Sequence, residues 1–249
     1  MEHWEIILFF LIIAFIYSSV GFGGGSSYLA VLAMYSLPYQ EIRLTALICN
    51  VIVVIGGVFI YIKNNQIDWK KILPLTMISV PMAYLGAVLK ISQETFFLIL
   101  GITLIIAALL LWLKTETKNV ENTSANAEAS PFKNGFLGGG IGFLSGLVGI
   151  GGGIFLSPLL NLIKWDTPRK IAATSSVFIL VNSLSGIFGQ LSKLAAGMDY
   201  FRILSLCFAV FIGGQIGSRM SLKWKPLVIK RMTAVLVLVA GINVLIKYW

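Results

Sequence analysis

Two glycine clusters, each inside a long apolar stretch, constrain this chain more than any other feature of its sequence. Residues 21–25 read Gly-Phe-Gly-Gly-Gly, and residues 149–153 read Gly-Ile-Gly-Gly-Gly. Glycine inside a helix is less favourable than alanine by about 1 kcal/mol, so two matched clusters predict two breaks in helices. Irregular backbone at membrane depth is tolerated only where it is buried or lines a cavity, and in transporters it often forms the binding site.

The composition indicates that lipid is the solvent of this chain. Hydrophobic residues make up 57% and charged residues 12%, against about 25% charged in globular domains. The 249 residues suffice for about eight crossings of about 20 residues each. The net charge is +9. The basic residues lie between apolar runs and are not interleaved with aromatic residues, which favours lipid headgroups over nucleic acid as their partners. We predict a multi-pass protein of the inner (plasma) membrane whose acidic start does not fit a secretory signal.

The order of apolar segments predicts an all-α integral membrane protein with about eight transmembrane segments in two related repeats. We place the first repeat at 1–114, a polar linker at 115–132 and the second repeat at 133–249. The first segment of each repeat is broken or re-entrant at its glycine cluster. Three residue pairs at an offset near 130 support the duplication: Thr45 and Thr174, Gly57 and Gly186, Asp68 and Asp199.

The orientation in the membrane stays open at this level. Eight simple crossings distribute the basic residues nine to ten between the two sides, which decides nothing. A re-entrant hairpin would move every following loop to the other side and make the repeats inverted rather than parallel. Both topologies remain alternatives.

The breaks predict an anion site. A broken helix leaves unpaired N–H groups at the start of the next half-helix, where the helix dipole is positive. Neutral polar residues of the following helices add donors. The candidate substrate-binding residues are Gly23, Gly24, Gly25, Ser26, Ser27, Thr45, Asn50, Gly151, Gly152, Gly153, Thr174, Ser175 and Asn182. For Asn182, a ligand and an inter-helix hydrogen bond are open alternatives, because a carboxamide in hydrocarbon is unfavourable without partners.

Several kinds of chemistry find no support in the sequence. No ionisable residue lies mid-segment, so a buried proton relay is not expected, and Arg43, Arg169 and Lys170 serve at most at the mouth of a pathway. Cys49 and Cys207 have no histidine or carboxylate partner for catalysis. We therefore expect no catalytic residue, metal or cofactor.

Several motifs of the second half resemble the TauE/SafE sulfite exporter family of bacterial membrane permeases. They are the glycine run at 146–153, Pro158, Ala-Thr-Ser-Ser at 173–176 and Asn-Ser-Leu-Ser-Gly at 182–186. The resemblance implies a small helical bundle with two related halves. It also implies that the cargo is a small sulfur oxyanion or organosulfonate.

The sequence as a whole predicts a secondary transporter or facilitator that moves a small anion. Export is the expected direction, since expelling one negative charge from a negative-inside cell is favourable by about 2.3 kcal/mol per 100 mV. A passive anion channel and a non-transporting subunit of a membrane complex are the alternatives.

Overall fold

The chain folds into helices and short connections throughout the part that the structure describes. A computed structural model describes residues 4–35, 37–112, 131–191, 199–220 and 226–248. Its helices are α1 (Glu5–Ser18), α2 (Gly25–Met34), α3 (Tyr39–Lys63), α4 (Trp69–Val88), α5 (Gln93–Trp112), α6 (Pro131–Val148), α7 (Gly153–Leu162), α8 (Pro168–Gln190), α9 (Tyr200–Met220) and α10 (Pro226–Tyr248). The all-α prediction is confirmed. Most of the predicted linker lies outside the described residues.

Six helices in the described residues are long and apolar enough to cross a membrane. They are α3, α4, α5, α8 and α9, together with α10 from Arg231 onward. Helices α1, α2 and α7 are apolar but have only 10 to 14 residues, and at 1.5 Å per residue none reaches the roughly 30 Å of a bilayer core. The count of about eight transmembrane segments stays a prediction.

Both glycine clusters end a helix. Helix α1 stops at Ser18 and α2 starts after Gly24, which has φ of 89°. Helix α6 stops at Val148 and α7 starts after Gly152, which has φ of 80°. These left-handed conformations cost a residue with a side chain roughly 1–2 kcal/mol, so glycine is needed at both helix starts. We call residues 19–24 the first break and residues 149–152 the second break.

Helix α2 turns back along α1 after the first break. The rings of Phe10 and Tyr28 stack with centroids 4.5 Å apart, although Phe10 lies eight residues before the end of α1, a distance of about 12 Å along the helix. A straight continuation would separate the two rings further still. Helices α1 and α2 therefore form a hairpin, the first hairpin, and α6 and α7 form the second.

The contacts between helices fix their directions. Helices α5 and α10 are antiparallel, because Phe97 near the start of α5 stacks on Tyr248 at the end of α10, at 3.6 Å. Helices α3 and α8 are also antiparallel, since Leu47 contacts Gly186 while Val58 packs near Val177.

Three parallel pairs complete the arrangement. Helix α9 runs parallel to α1, since Ser19 after the end of α1 donates to the Gly217 carbonyl near the end of α9 at 3.2 Å. Helix α9 also runs parallel to α3, since Arg202 near the start of α9 pairs with Glu41 near the start of α3. Helix α4 runs parallel to α8, where Ser185 donates to the Val80 carbonyl at 2.6 Å. We call the end where α1, α3, α5 and α9 begin face A, and the end where α4, α6, α8 and α10 begin face B.

A stripe of glycines lets α6 approach α4 closely. Cβ atoms added to Gly138, Gly142 and Gly146 would lie 3.0, 2.7 and 2.8 Å from the Cα atoms of Leu75, Ser79 and Ala83. The spacing of four residues along both helices shows that they run in parallel. This is packing through small residues, and it is separate from the break at 149–152.

Candidate functional site

The two breaks meet in the interior of the protein, with Asn50 of α3 between them. A Cβ atom on Gly25 would lie only 2.9 Å from the carbonyl oxygen of Ile150. The Asn50 side chain contacts Gly23 and Gly25, and its Nδ2 donates to the Ile150 carbonyl at 2.9 Å. One fully buried carboxamide thus touches both breaks and fixes their separation.

The backbone around both breaks presents buried N–H groups without an acceptor. Among the described residues, the amides of 23–26 and of 150–154 have no hydrogen-bond partner, whereas Gly149 donates to the Ser145 carbonyl at 2.7 Å. All of these residues are buried. Unpaired amides at a helix start carry the positive end of its dipole, so two such ends lie side by side in a dry environment.

Helix α8 adds further polar atoms that have no partner among the described residues. The Ser183 hydroxyl lies 2.9 Å from the position of a Cβ on Gly151, the same distance as Asn50 Nδ2. The hydroxyls of Ser175 and Ser183 and the Oδ1 atoms of Asn50 and Asn182 are buried without a hydrogen bond. Orphaned polar groups are rare in native interiors, and their grouping near the breaks marks a place suited to a polar ligand.

The two halves differ at their equivalent positions. Asn50 contacts Gly23 and Gly25 of the first break, while Ile179 contacts Gly151 and Gly153 of the second. The same backbone arrangement therefore meets a carboxamide on one side and a branched alkyl group on the other. Among the described residues, a polar side chain that reaches both breaks comes from α3 alone.

The hydroxyls of Ser26 and Ser27 form hydrogen bonds with Tyr17 and do not cap α2. Both hydroxyls contact the hydroxyl of Tyr17, at 3.1 and 2.7 Å, and the N-cap is Gly24, without a side-chain bond. Tyr17 is buried and was not identified from the sequence. The spacing of nine to ten residues carries no helical signal, because the chain reverses between the two positions.

The predicted residues of α3 and α8 fall into different places. Asn182 donates through Nδ2 to the Phe178 carbonyl of its own helix at 2.8 Å, so this nitrogen makes no inter-helix bond. Thr45 and Thr174 are buried but lie five residues before Asn50 and Ile179, about 140° around each helix. They do not share the face that meets the breaks.

Arg43 lies deeper than the sequence indicates. Its side chain is 2% exposed, and Nη2 donates to the Gly146 carbonyl at 2.9 Å, an orphan acceptor of the last turn of α6. The guanidinium carbon lies 5.7 Å from the centroid of the Phe96 ring. Arg43 also contacts Gly149 of the second break, and it precedes Asn50 by two helical turns on the same face.

No carboxylate in the described residues neutralises Arg43. Its Nε is buried without a hydrogen-bond partner, and the nearby Glu41 pairs with Arg202 instead. The sequence could show only that a basic residue lies near the start of an apolar segment. Burial against the second break is a tertiary feature. By contrast, Lys170 lies at face B and approaches Asp166 at 3.9 Å.

Comparison with known proteins identifies the family. A family model described as sulfite exporter TauE/SafE matches residues 6–244. The probable membrane transporter protein y4hK of Sinorhizobium fredii (strain NBRC 101917 / NGR234) is 28% identical over 240 residues, 95% of both chains. The probable membrane transporter protein YunE of Bacillus subtilis (strain 168) is 25% identical over 249 residues, 90% of both chains. No solved structure matches. These matches indicate a membrane transporter rather than an enzyme, and the chain belongs to the TauE/SafE family.

Proposed function

We propose that this protein is a secondary transporter or facilitator that carries a small anion across the inner membrane and binds it where the two breaks meet. The observation that carries the proposal is the pair of helix starts whose amides at 23–26 and 150–154 lack acceptors in the described residues. Each helix start is equivalent to roughly half a positive charge. Gly24, Gly25, Asn50, Gly152 and Gly153 form the centre of the proposed site.

The directions of the helices support two inverted repeats. Equivalent helices run antiparallel in the pairs α3 with α8 and α5 with α10. Each half then contributes one re-entrant hairpin and three crossings. Because three is odd, the second half enters the membrane from the opposite side, and its orientation is inverted. Broken helices near the midplane at the interface of inverted repeats are typical of secondary transporters. Alternating exposure of one central site follows from this symmetry.

The cargo we propose is a sulfur oxyanion or organosulfonate, a class that the family description supports. Sulfite and sulfonate groups present three oxygens in a compact pyramid, which suits several amide and hydroxyl donors converging from different directions. The Ser175 and Ser183 hydroxyls have no partner in the described residues and can donate. Neutral donors hold the ion weakly enough to release it, while Arg43 supplies a fixed positive charge nearby.

With two re-entrant hairpins, the distribution of basic residues supports face B as the cytoplasmic side. Nine basic residues with described side chains lie toward face B: Lys63, Lys70, Lys71, Lys133, Lys164, Arg169, Lys170, Arg219 and Arg231. Four lie toward face A: Arg43, Lys90, Arg202 and Lys247. Cytoplasmic loops are enriched in lysine and arginine, so the chain begins and ends outside. Net export then runs from face B to face A.

The test is transport by the purified protein in liposomes. We expect saturable flux of sulfite, thiosulfate or sulfoacetate, together with stabilisation of the folded protein by the transported anion. Flux that rises linearly without saturation would favour the channel, and no flux from the protein alone would favour a subunit role.

Substitution of one glycine in each break tests where the anion binds. Gly24→Leu or Gly152→Leu should abolish flux, because a side chain there meets Tyr28 or Phe178 at 2.8 Å. Gly140→Leu is the matched control, since a Cβ at Gly140 meets nothing within 4 Å. Normal flux in both break variants would reject the proposed site.

A further inference from the structure

We propose that a groove at face B, between the ends of α3 and α9, binds an anionic phospholipid. The groove has a volume of about 550 Å³ and is lined by residues of these two helices and by Asn64, which follows α3. Its polar end carries Lys63 and Arg219, and its apolar wall carries Ile55 and Phe59. This inference is independent of the anion site, which lies in the protein interior.

The two basic side chains at the groove form no ion pair with the described residues. Lys63 and Arg219 are exposed, and the ion pairs of the described residues involve Lys71, Lys170 and Arg202 instead. Both cations lie in the last turn of their helices, at the level of lipid headgroups. Paired basic residues at this depth attract anionic headgroups.

The shape of the groove suits one acyl chain below a headgroup. Phe59 is 69% exposed and Ile55 is 52% exposed, and they lie one and two turns below Lys63 on the same side of α3. The Gln215 amide occupies the space left by the missing side chain of Gly56. This amide lies at the level of Gly56, beside Ile55 and about two turns below Lys63.

The equivalent pair of helices, α8 and α4, has an apolar residue at the position of Arg219. In the first half, Gly86 takes the place of Gly217, which puts Val88 at the position of Arg219. The equivalent surface at face A therefore has an apolar residue where face B has a guanidinium. Arg219 is therefore a feature of α9 that α4 does not share. Face B is the side with more basic residues, which faces the cytoplasmic leaflet.

Native mass spectrometry of the full chain with added phosphatidylglycerol tests the proposal. We expect one phosphatidylglycerol to bind in preference to phosphatidylcholine. The variant Lys63→Gln/Arg219→Gln should weaken this binding about thirtyfold, from about 1 kcal/mol for each basic residue. The control Lys70→Gln/Lys133→Gln removes the same charge from face B outside the groove and should stay within about threefold of wild type.

Further arms separate the lipid from its headgroup and from diffuse charge. Phe59→Ala should weaken phosphatidylglycerol binding, and glycerol phosphate at millimolar concentration should not displace the lipid. Equal losses in the two double variants, equal binding of phosphatidylcholine, or full displacement by glycerol phosphate would each overturn the proposal. Measuring anion flux in parallel keeps this result separate from the transport proposal, because none of these residues lies at the breaks.

Discussion

Replacing Gly152 by alanine tests the backbone geometry on which the site depends. Gly152 has φ of 80°, and a left-handed conformation costs an alanine about 1–2 kcal/mol. The new Cβ would also lie 2.8 Å from a ring carbon of Phe178 and 3.2 Å from Ile141, which adds about 1–3 kcal/mol of overpacking. Reduced freedom of the unfolded chain returns about 0.4–1 kcal/mol. The net expectation is a loss of about 1–4 kcal/mol.

The matched control is Gly140→Ala, on the same hairpin. Gly140 lies inside α6, and its Cβ would meet nothing within 4 Å. Alanine is favoured over glycine there by about 0.5–1 kcal/mol. The two variants should therefore change stability in opposite directions, measured as the free energy of unfolding in mixed micelles by titration with sodium dodecyl sulfate. Changes of the same sign, or no loss in Gly152→Ala, would refute the left-handed helix start.

Three further predictions concern binding and orientation. Asn50→Leu removes the hydrogen bond to Ile150 and a donor from the site, and should reduce anion affinity by about tenfold or more, measured by anion-induced thermal stabilisation; unchanged affinity would limit Asn50 to packing. Arg43→Gln should weaken the same affinity at low and at high salt alike, because a buried charge is little screened, and Arg43→Lys, which keeps the charge, should weaken it less; equal losses in the two variants would show that Arg43 acts through its hydrogen bond to α6 alone. In a protein with Cys49 and Cys207 replaced by serine, a cysteine at Lys70 should react with an impermeant maleimide only from the cytoplasmic side and one at Lys90 only from outside; the reverse pattern would invert the assigned orientation.

The sequence predicted the helix ends because the signals for them are local. Glycine is unfavourable in a helix wherever it occurs, so the ends of α1 and α6 follow from the composition of 21–25 and 149–153. Pro38 and Pro168 lie at the starts of α3 and α8, and each is a local signal of the same kind.

The partners of the site could not be read from the sequence, because they are set by contacts between distant residues. Asn50 reaches Ile150 across 100 residues, and Arg43 reaches Gly146 across 103. Asn182, for which the sequence left a ligand and an inter-helix hydrogen bond open, donates its Nδ2 to a carbonyl of its own helix. The charge count was undecided because it assumed eight simple crossings, whereas the two re-entrant hairpins that we propose would move most of the loops to the other side.

The close contact of α6 with α4, and of α1 with α9, has a consequence for movement. Each hairpin is held by a helix from the opposite half of the chain, through backbone contacts at Gly142 and Gly217. We therefore expect that the bodies that shift during a transport cycle do not coincide with the two halves of the chain. Each would combine segments from both halves, with a hairpin moving together with the helix that it packs against so closely.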